Sequence, residues 1–125
     1  MQGEHYTFAI EARDVCLYVR SSGVRTRATV TAMTMEIFDA ALAKGLSKVL
    51  VDVRKLEGRL GILDSYLAVT DVFQRLRGKG MRKAAIVDQQ ISSIRGWFIE
   101  TLARNRGFNL RVFTDQEEAV EWLGL

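Results

Sequence analysis

Proline is absent from this chain of 125 residues, and cysteine and histidine occur once each. With no proline, no internal repeat and no low-complexity tract, no segment reads as a linker, so one domain over residues 1–125 is expected. A chain of this length buries roughly two thirds of its unfolded surface without disulfides or metals. Cys16 has no partner for an internal disulfide and sits in a strand-like run where a small buried thiol is ordinary. A nucleophilic thiol needs a nearby cation or a helix N-terminus to lower its pKa, so a structural role is expected for it. His5 stands near the start and reads as a surface residue; a lone histidine excludes a His-based triad and a multi-histidine metal site.

Long apolar runs are missing too. None approaches the ~18 residues of a membrane span, and Met1-Gln-Gly-Glu-His5 lacks the basic-then-apolar pattern of a secretion signal, so a cytoplasmic location is expected. Hydrophobic residues at 48% and charged residues at 26% fit an ordinary globular protein. The net charge of +3 is mild, and no basic stretch interleaved with aromatics marks a nucleic-acid surface. There is no glycine-rich phosphate loop and no nucleophile beside a base, so neither a cofactor nor a resident metal is expected.

What is present is an ordered alternation of strand and helix patterns. Tyr6–Ile10 alternates, Glu11–Asp14 reads as a turn, and Val15–Arg20 alternates again, which predicts an antiparallel hairpin ended by Ser21-Ser22-Gly23. Thr26 is an N-cap candidate, after which Val30, Met33, Ile37, Ala41 and Leu42 keep helical spacing up to Lys44-Gly45. Lys48–Val53 is nearly all apolar, as a strand covered on both faces should be. After a loop from Arg54, a second helix carries Leu63, Leu67, Thr70, Phe73 and Leu76 on one face and stops at Gly78. Lys83–Asp88 and Leu110–Phe113 are strands. Between them Ile94, Trp97, Phe98, Thr101 and Leu102 define a third helix, closed at Gly107. Thr114-Asp-Gln-Glu117 reads as a capping box for a fourth helix whose Ala119, Val120 and Leu123 face the sheet. The expected fold class is α/β: a single mixed sheet of about five strands, an N-terminal antiparallel hairpin followed by parallel strand–helix units, flanked by about four helices.

Leu50-Val-Asp-Val-Arg-Lys-Leu-Glu-Gly58, Glu100-Thr-Leu-Ala-Arg-Asn-Arg-Gly-Phe108, Val112-Phe-Thr-Asp115 and Glu118-Ala-Val-Glu-Trp-Leu123 resemble the SpoIIAA-like, STAS-related bacterial proteins. The resemblance implies a mixed five-stranded sheet with helices packed on it and later strands joined by right-handed crossovers. Its motifs are caps, turns and core positions, which specify architecture rather than activity. In STAS anti-sigma-factor antagonists, a serine in an Asp-Ser-Ser-Gly-like segment opens the helix after the third strand, and its phosphorylation breaks partner binding. The matching segment here, Arg54–Asp64, contains no serine or threonine. Ser65 follows directly but lies several residues past the matching position, which falls at Gly61 or Ile62, so the usual phosphoserine switch is not expected; Asp64 reads as the helix cap, with Ser65 in the first turn.

Four groups of residues are candidates for function. Arg54, Lys55, Glu57 and Arg59, with Gly58 and Gly61 for mobility, form an expected interaction loop whose arginines have no evident packing duty, so substituting Arg54 or Arg59 should leave stability within about 0.5 kcal/mol. Arg75, Arg77, Lys79, Arg82 and Lys83 fall on a basic edge, where helices end and strands begin. Asp52, Glu57, Asp64, Asp88, Asp115, Glu117 and Glu118 gather on the opposite one. Asp52 and Asp88, near the carboxyl ends of neighbouring strands, would offer paired carboxylates to Mg²⁺, or Asp52 could simply accept backbone amides. Tyr66, Trp97 and Phe98 could wall a pocket for an apolar ligand, or be core residues, in which case Trp97→Ala would cost roughly 3–5 kcal/mol.

The reading reached from sequence is a non-enzymatic regulatory or protein–protein interaction module. The alternative is a domain that binds or senses a small apolar, lipid-like ligand. Expected partners are another protein, or a second copy docked basic edge to acidic edge, with an apolar small molecule as the alternative.

Overall fold

The computed structural model of the chain describes residues 2–3, 6–13, 15–89 and 91–125; His5 and Asp14 lie outside them. The sheet has six strands in sequential order: β1 (Gln2–Gly3), β2 (Tyr6–Arg13), β3 (Cys16–Val24), β4 (Lys48–Glu57), β5 (Lys83–Val87) and β6 (Leu110–Phe113). The four helices are α1 (Arg27–Ala43), α2 (Ile62–Leu76), α3 (Ser93–Asn105) and α4 (Gln116–Leu123). The β1–β2 and β2–β3 pairs are antiparallel, and β3 to β6 run parallel. The expected hairpin, parallel units and four helices are all present, with the two-residue β1 added at the hairpin edge.

Strand order never reverses, so crossovers of one hand place successive helices on the same face. Leu17, Val19, Val49 and Ala84 accordingly share a core with Met33, Ile37 and Phe38 of α1, Val72, Phe73 and Leu76 of α2 and Ala103 of α3. The alternate residues Cys16, Leu50, Ala85 and Val87 point to the opposite face and pack against Ala119 and Leu123 of α4. Lys48 Nζ and Lys83 Nζ reach the carbonyls of Leu123 (2.7 Å) and Trp122 (2.9 Å), holding the C-terminal end of α4 where its dipole is negative. Burial is the largest cause that pushes the Cys16 thiol up to about 11, so it is protonated at neutral pH and structural.

Element ends depart from the sequence expectations in three places. Both hairpin strands are longer than expected, so Glu11–Arg13 belong to β2 and Ser21–Val24 to β3. Polar alternation there marks strands covered on one face, not a turn. β4 continues to Glu57, so Arg54, Lys55 and Glu57 are strand residues; only Gly58–Gly61 connects to α2. The extension pairs with β3 alone, through Ser22–Lys55, Gly23–Leu56 and Val24–Glu57, because β5 ends beside Asp52. A register shift between Arg20 and Ser22 bends the pair, and Ser21 Oγ donates to the Asp52 carbonyl (3.0 Å). The caps of two helices also differ. Asp115, not Thr114, accepts from the Glu117 amide, and α2 starts at Ile62 with Gly61 as N-cap, leaving Asp64 in its first turn. Thr26 caps α1 as expected, in a reciprocal box with Thr29.

Candidate functional site

A cavity of about 180 Å³ lies between the sheet and the layer of α1, α2 and α3. Its origin is legible in side-chain size. Ala68 and Val69 on α2 face Ala84 and Ile86 on β5, and small residues on both sides leave unfilled space where leucine or phenylalanine would interdigitate. Phe73, part of its lining, packs on Phe108 with ring centroids 4.2 Å apart. From Ala84 to Asp88 the cavity follows one strand, which amounts to about 13 Å at the usual rise per residue.

The charged part of the lining lies at the carboxyl edge of the parallel strands. Of the residues lining the cavity, Arg25, Arg59, Asp88 and Arg95 are the ionised ones. Each arginine comes from a different connection: Arg25 between β3 and α1, Arg59 between β4 and α2, Arg95 from the first turn of α3. Asp88 follows Ala84 and Ile86 in the period of two and so points to the helix-covered face, where only 5% of it is exposed. Arg59 clamps it with two hydrogen bonds of 2.5 and 2.7 Å, and the Arg25 guanidinium lies 3.7 Å away. Gly58, at a φ of +84°, makes the left-handed turn that starts this connection. Arg25 donates to the Val53 carbonyl (3.4 Å) and Arg95 to that of Leu60 (2.6 Å). Ser92 caps the Arg95 amide and fixes the turn that bears it. Burial lowers the Arg25 pKa, opposed by Asp88 and reinforced by the nearby Arg59 charge, while the hydrogen bond to Asp88 raises that of Arg59.

Asp52 and Asp88 do not form a pair. Asp52 stands beside Val87 in the ladder and shares its face, the one covered by α4, whereas Asp88 faces α1–α3. Each carboxylate has its own arginine, and among the described residues no cluster of three His, Cys, Asp or Glu is placed to hold a metal.

Arg54 binds Asp52 through its side chain (2.7 and 2.9 Å) and its backbone amide (3.0 Å). Burial alone would raise the Asp52 pKa, but the hydrogen bonds from Arg54 outweigh it and hold the carboxyl below its ordinary value. A folded-state pKa below the unfolded one adds stability that is complete above the unfolded pKa of about 3.9 and is lost as pH falls through the folded value. The stability gap between the parent chain and Asp52→Asn, measured by urea unfolding, is therefore expected to be constant from about pH 7 to 5 and to shrink below about pH 4. A gap independent of pH down to acid unfolding would refute this role for the Asp52 charge.

The structure divides the residues expected to wall a pocket. Phe98 lines the cavity, but Trp97 is 63% exposed and Tyr66 41% exposed, and neither lines it. On α3 the two neighbours are a helical step of 100° apart, so one faces inward and the next outward. Tyr66 instead meets the Arg106 guanidinium across α2 and α3, at 5.5 Å from its ring centroid. Arg54 and Arg59, expected to be idle, are both committed to buried acids. The carboxyl edge is not simply acidic either, since Arg25, Arg27, Arg54, Arg59 and Arg95 interleave with its carboxylates. On the basic edge Arg77, Lys79 and Arg82 are exposed, Arg75 pairs with Asp71 at 3.1 Å, and Lys83 is occupied with α4. Sequence reasoning missed Arg25 and Arg95, whose only local signal was their position just outside or just inside a helix start.

The family model for SpoIIAA-like proteins matches residues 16–124. The chain belongs to the SpoIIAA-like family. Two solved structures share this SpoIIAA-like fold over nearly their whole length. An anti-sigma factor antagonist from Mycobacterium paratuberculosis is 16% identical with a TM-score of 0.63, covering 96% of this chain and 95% of its own. An uncharacterized protein of the DUF3478 family with a SpoIIAA-like fold, from Shewanella loihica, is 22% identical with a TM-score of 0.60, covering 94% and 93%. No curated protein matches the SpoIIAA-like chain described here. Among the described residues no helix is long and apolar enough to cross a membrane.

Proposed function

We propose that this SpoIIAA-like chain is a non-enzymatic binding module that takes a small apolar, lipid-like ligand into the cavity beneath α1, α2 and α3. The observation that carries the reading is the cavity itself: about 180 Å³, walled by aliphatic and aromatic side chains, with its charged lining residues confined to Arg25, Arg59, Asp88 and Arg95. Roughly 150 Å³ of apolar cavity is enough to hold a benzene-sized guest, and apolar walls that would otherwise lack contacts gain dispersion and lose hydration when filled. The expected result is that N-phenyl-1-naphthylamine, a neutral apolar fluorophore, brightens and shifts to the blue on titration, and that dodecanol displaces it. Ala68→Trp, which fills the cavity from α2, should abolish the signal in protein shown by circular dichroism to be folded. If the parent chain leaves the emission at its value in buffer, the reading fails.

A regulatory or protein-interaction role is the second reading, favoured by a different observation. Ile62, Leu63, Ile94 and Trp97 are all exposed at the starts of α2 and α3, close to the cavity mouth, and clustered exposed apolar side chains suit a protein partner. The anti-sigma factor antagonist of the same fold fits this reading, with Lys55, Glu57, Arg77 and Lys79 as further surface for contact. Native mass spectrometry of the protein purified from its own host separates the two: a retained small molecule supports the first, a retained polypeptide the second.

A further inference from the structure

The cavity joins an apolar interior to a mouth with an unbalanced charge. Three guanidiniums, of Arg25, Arg59 and Arg95, stand against one carboxylate, that of Asp88, which leaves two positive charges over at the opening. A strictly apolar guest does not require them, and a packed core would exclude them, because a buried or half-buried cation is costly unless an anion answers it. Asp88 answers in part: it sits inside the arc as the chain's own oxyanion, taking both Arg59 hydrogen bonds, with Arg25 at 3.7 Å. Arg95, whose backbone is pinned by Ser92, lays a guanidinium nitrogen on the Leu60 carbonyl and lines the same cavity, and one such bond uses only part of a fork that carries five N–H donors.

We propose that the ligand of this cavity is an amphipathic anion, an alkyl chain ending in a carboxylate or phosphate, with the chain between Ala68 and Ile86 and the head at Arg59, Arg25 and Arg95. The proposal rests on the apolar-ligand reading above and adds the chemistry of the head. The lining residues Ala84, Ile86 and Asp88 run along one side of β5, so a chain lying beside the strand passes from the apolar interior to the arginines. At the mouth, guanidinium forks match the planar geometry of carboxylate and the tetrahedral oxygens of phosphate, where lysine would act only as a point charge. Asp88 competes for the same donors, so it tunes affinity downward and keeps the arginines in position while the site is empty.

The test is displacement of N-phenyl-1-naphthylamine from the parent chain by dodecanoate, dodecyl phosphate, dodecanol and dodecyltrimethylammonium, each below its micelle concentration. Dodecanoate or dodecyl phosphate is expected to displace at least about tenfold more effectively than dodecanol, which is about 1.4 kcal/mol, with the cation weakest; whichever anion leads identifies the head. Raising salt should erode that lead, because part of it is screened charge attraction. Arg95→Gln is expected to narrow the ratio of dodecanoate to dodecanol and Asp88→Asn to widen it, opposite signs that a general loss of structure would not produce. If the fluorophore binds and dodecanoate, dodecyl phosphate and dodecanol displace it equally, the cavity is apolar-selective and the anion proposal is overturned. If the fluorophore does not bind, the apolar reading falls and the proposal with it.

Discussion

Arg59→Ala is expected to lower the unfolding free energy by about 2–4 kcal/mol, with Arg54→Ala losing only about 1–2. The contrast comes from what each leaves behind. Asp88 is buried, and without Arg59 it loses both its hydrogen bonds to that guanidinium, keeping from the arginine arc only Arg25 at 3.7 Å. An acid that loses its two closest guanidinium bonds while staying buried remains desolvated, which is why truncating one partner of a buried pair costs more than the pair contributes. Asp52 would retain the Arg54 backbone amide after truncation of the side chain, because that hydrogen bond belongs to the backbone of β4. Urea unfolding of both variants and of Arg59→Ala/Asp88→Ala checks the assignment. The double variant should be less destabilised than the sum of its singles, since removing both charges removes the stranded acid. Simple additivity would mean that Arg59 and Asp88 do not depend on each other. The expectation drawn from sequence, under 0.5 kcal/mol for either arginine, treated them as loop residues without duties; the structure places both in ion pairs.

Leu123→Ala is expected to cost about 3–5 kcal/mol, while Trp97→Ala costs less than about 0.5 kcal/mol. Leu123 is 0% exposed, and with Ala119 it is the fully buried part of α4, which among the described residues is the helix that covers the far face of the sheet. Truncating it opens a void in the cluster that holds Leu50, Ala85 and Val87, and α4, tied to the sheet by the Lys48 and Lys83 hydrogen bonds, is held from collapsing into it. Trp97 is 63% exposed, so its removal leaves no cavity and deletes little buried area. Thermal unfolding of both variants decides the matter, and a Trp97→Ala loss as large as that of Leu123→Ala would place Trp97 in the core after all. Phe98, one position on, lines the cavity, so Phe98→Ala should alter fluorophore affinity where Trp97→Ala does not.

The alternation of strand and helix was settled locally. Val49, Leu50 and Val51 need a neighbour on both faces, Thr26 can cap only a helix that follows it, and Gly107 takes a φ of +82° that a side chain disfavours. Each of these constraints acts within a few residues, so the order of elements and the fold class could be read before any contact was known. That Asp52 and Asp88 face opposite ways was not legible, because β4 and β5 are apolar at either parity and only their register sets Asp52 beside Val87. Strand ends were less legible. The polar stretch Arg54–Glu57 is extended only because β3 continues alongside it, and the sequence of β4 carries no mark of its neighbour's length.

The site itself belongs to tertiary structure. Arg25, Arg59 and Arg95 occupy three separate connections, and nothing local distinguishes them from the arginines at exposed positions 77 and 82. They converge because three successive crossovers return to the same edge of an unreversed sheet, and because Asp88, the residue just after β5, offers a buried charge there. The cavity likewise depends on Ala68 and Ala84 meeting across the helix–sheet interface. A sequence shows that each residue is small; whether two small residues face one another, and so leave space for a ligand, is fixed only by how α2 is laid on the sheet.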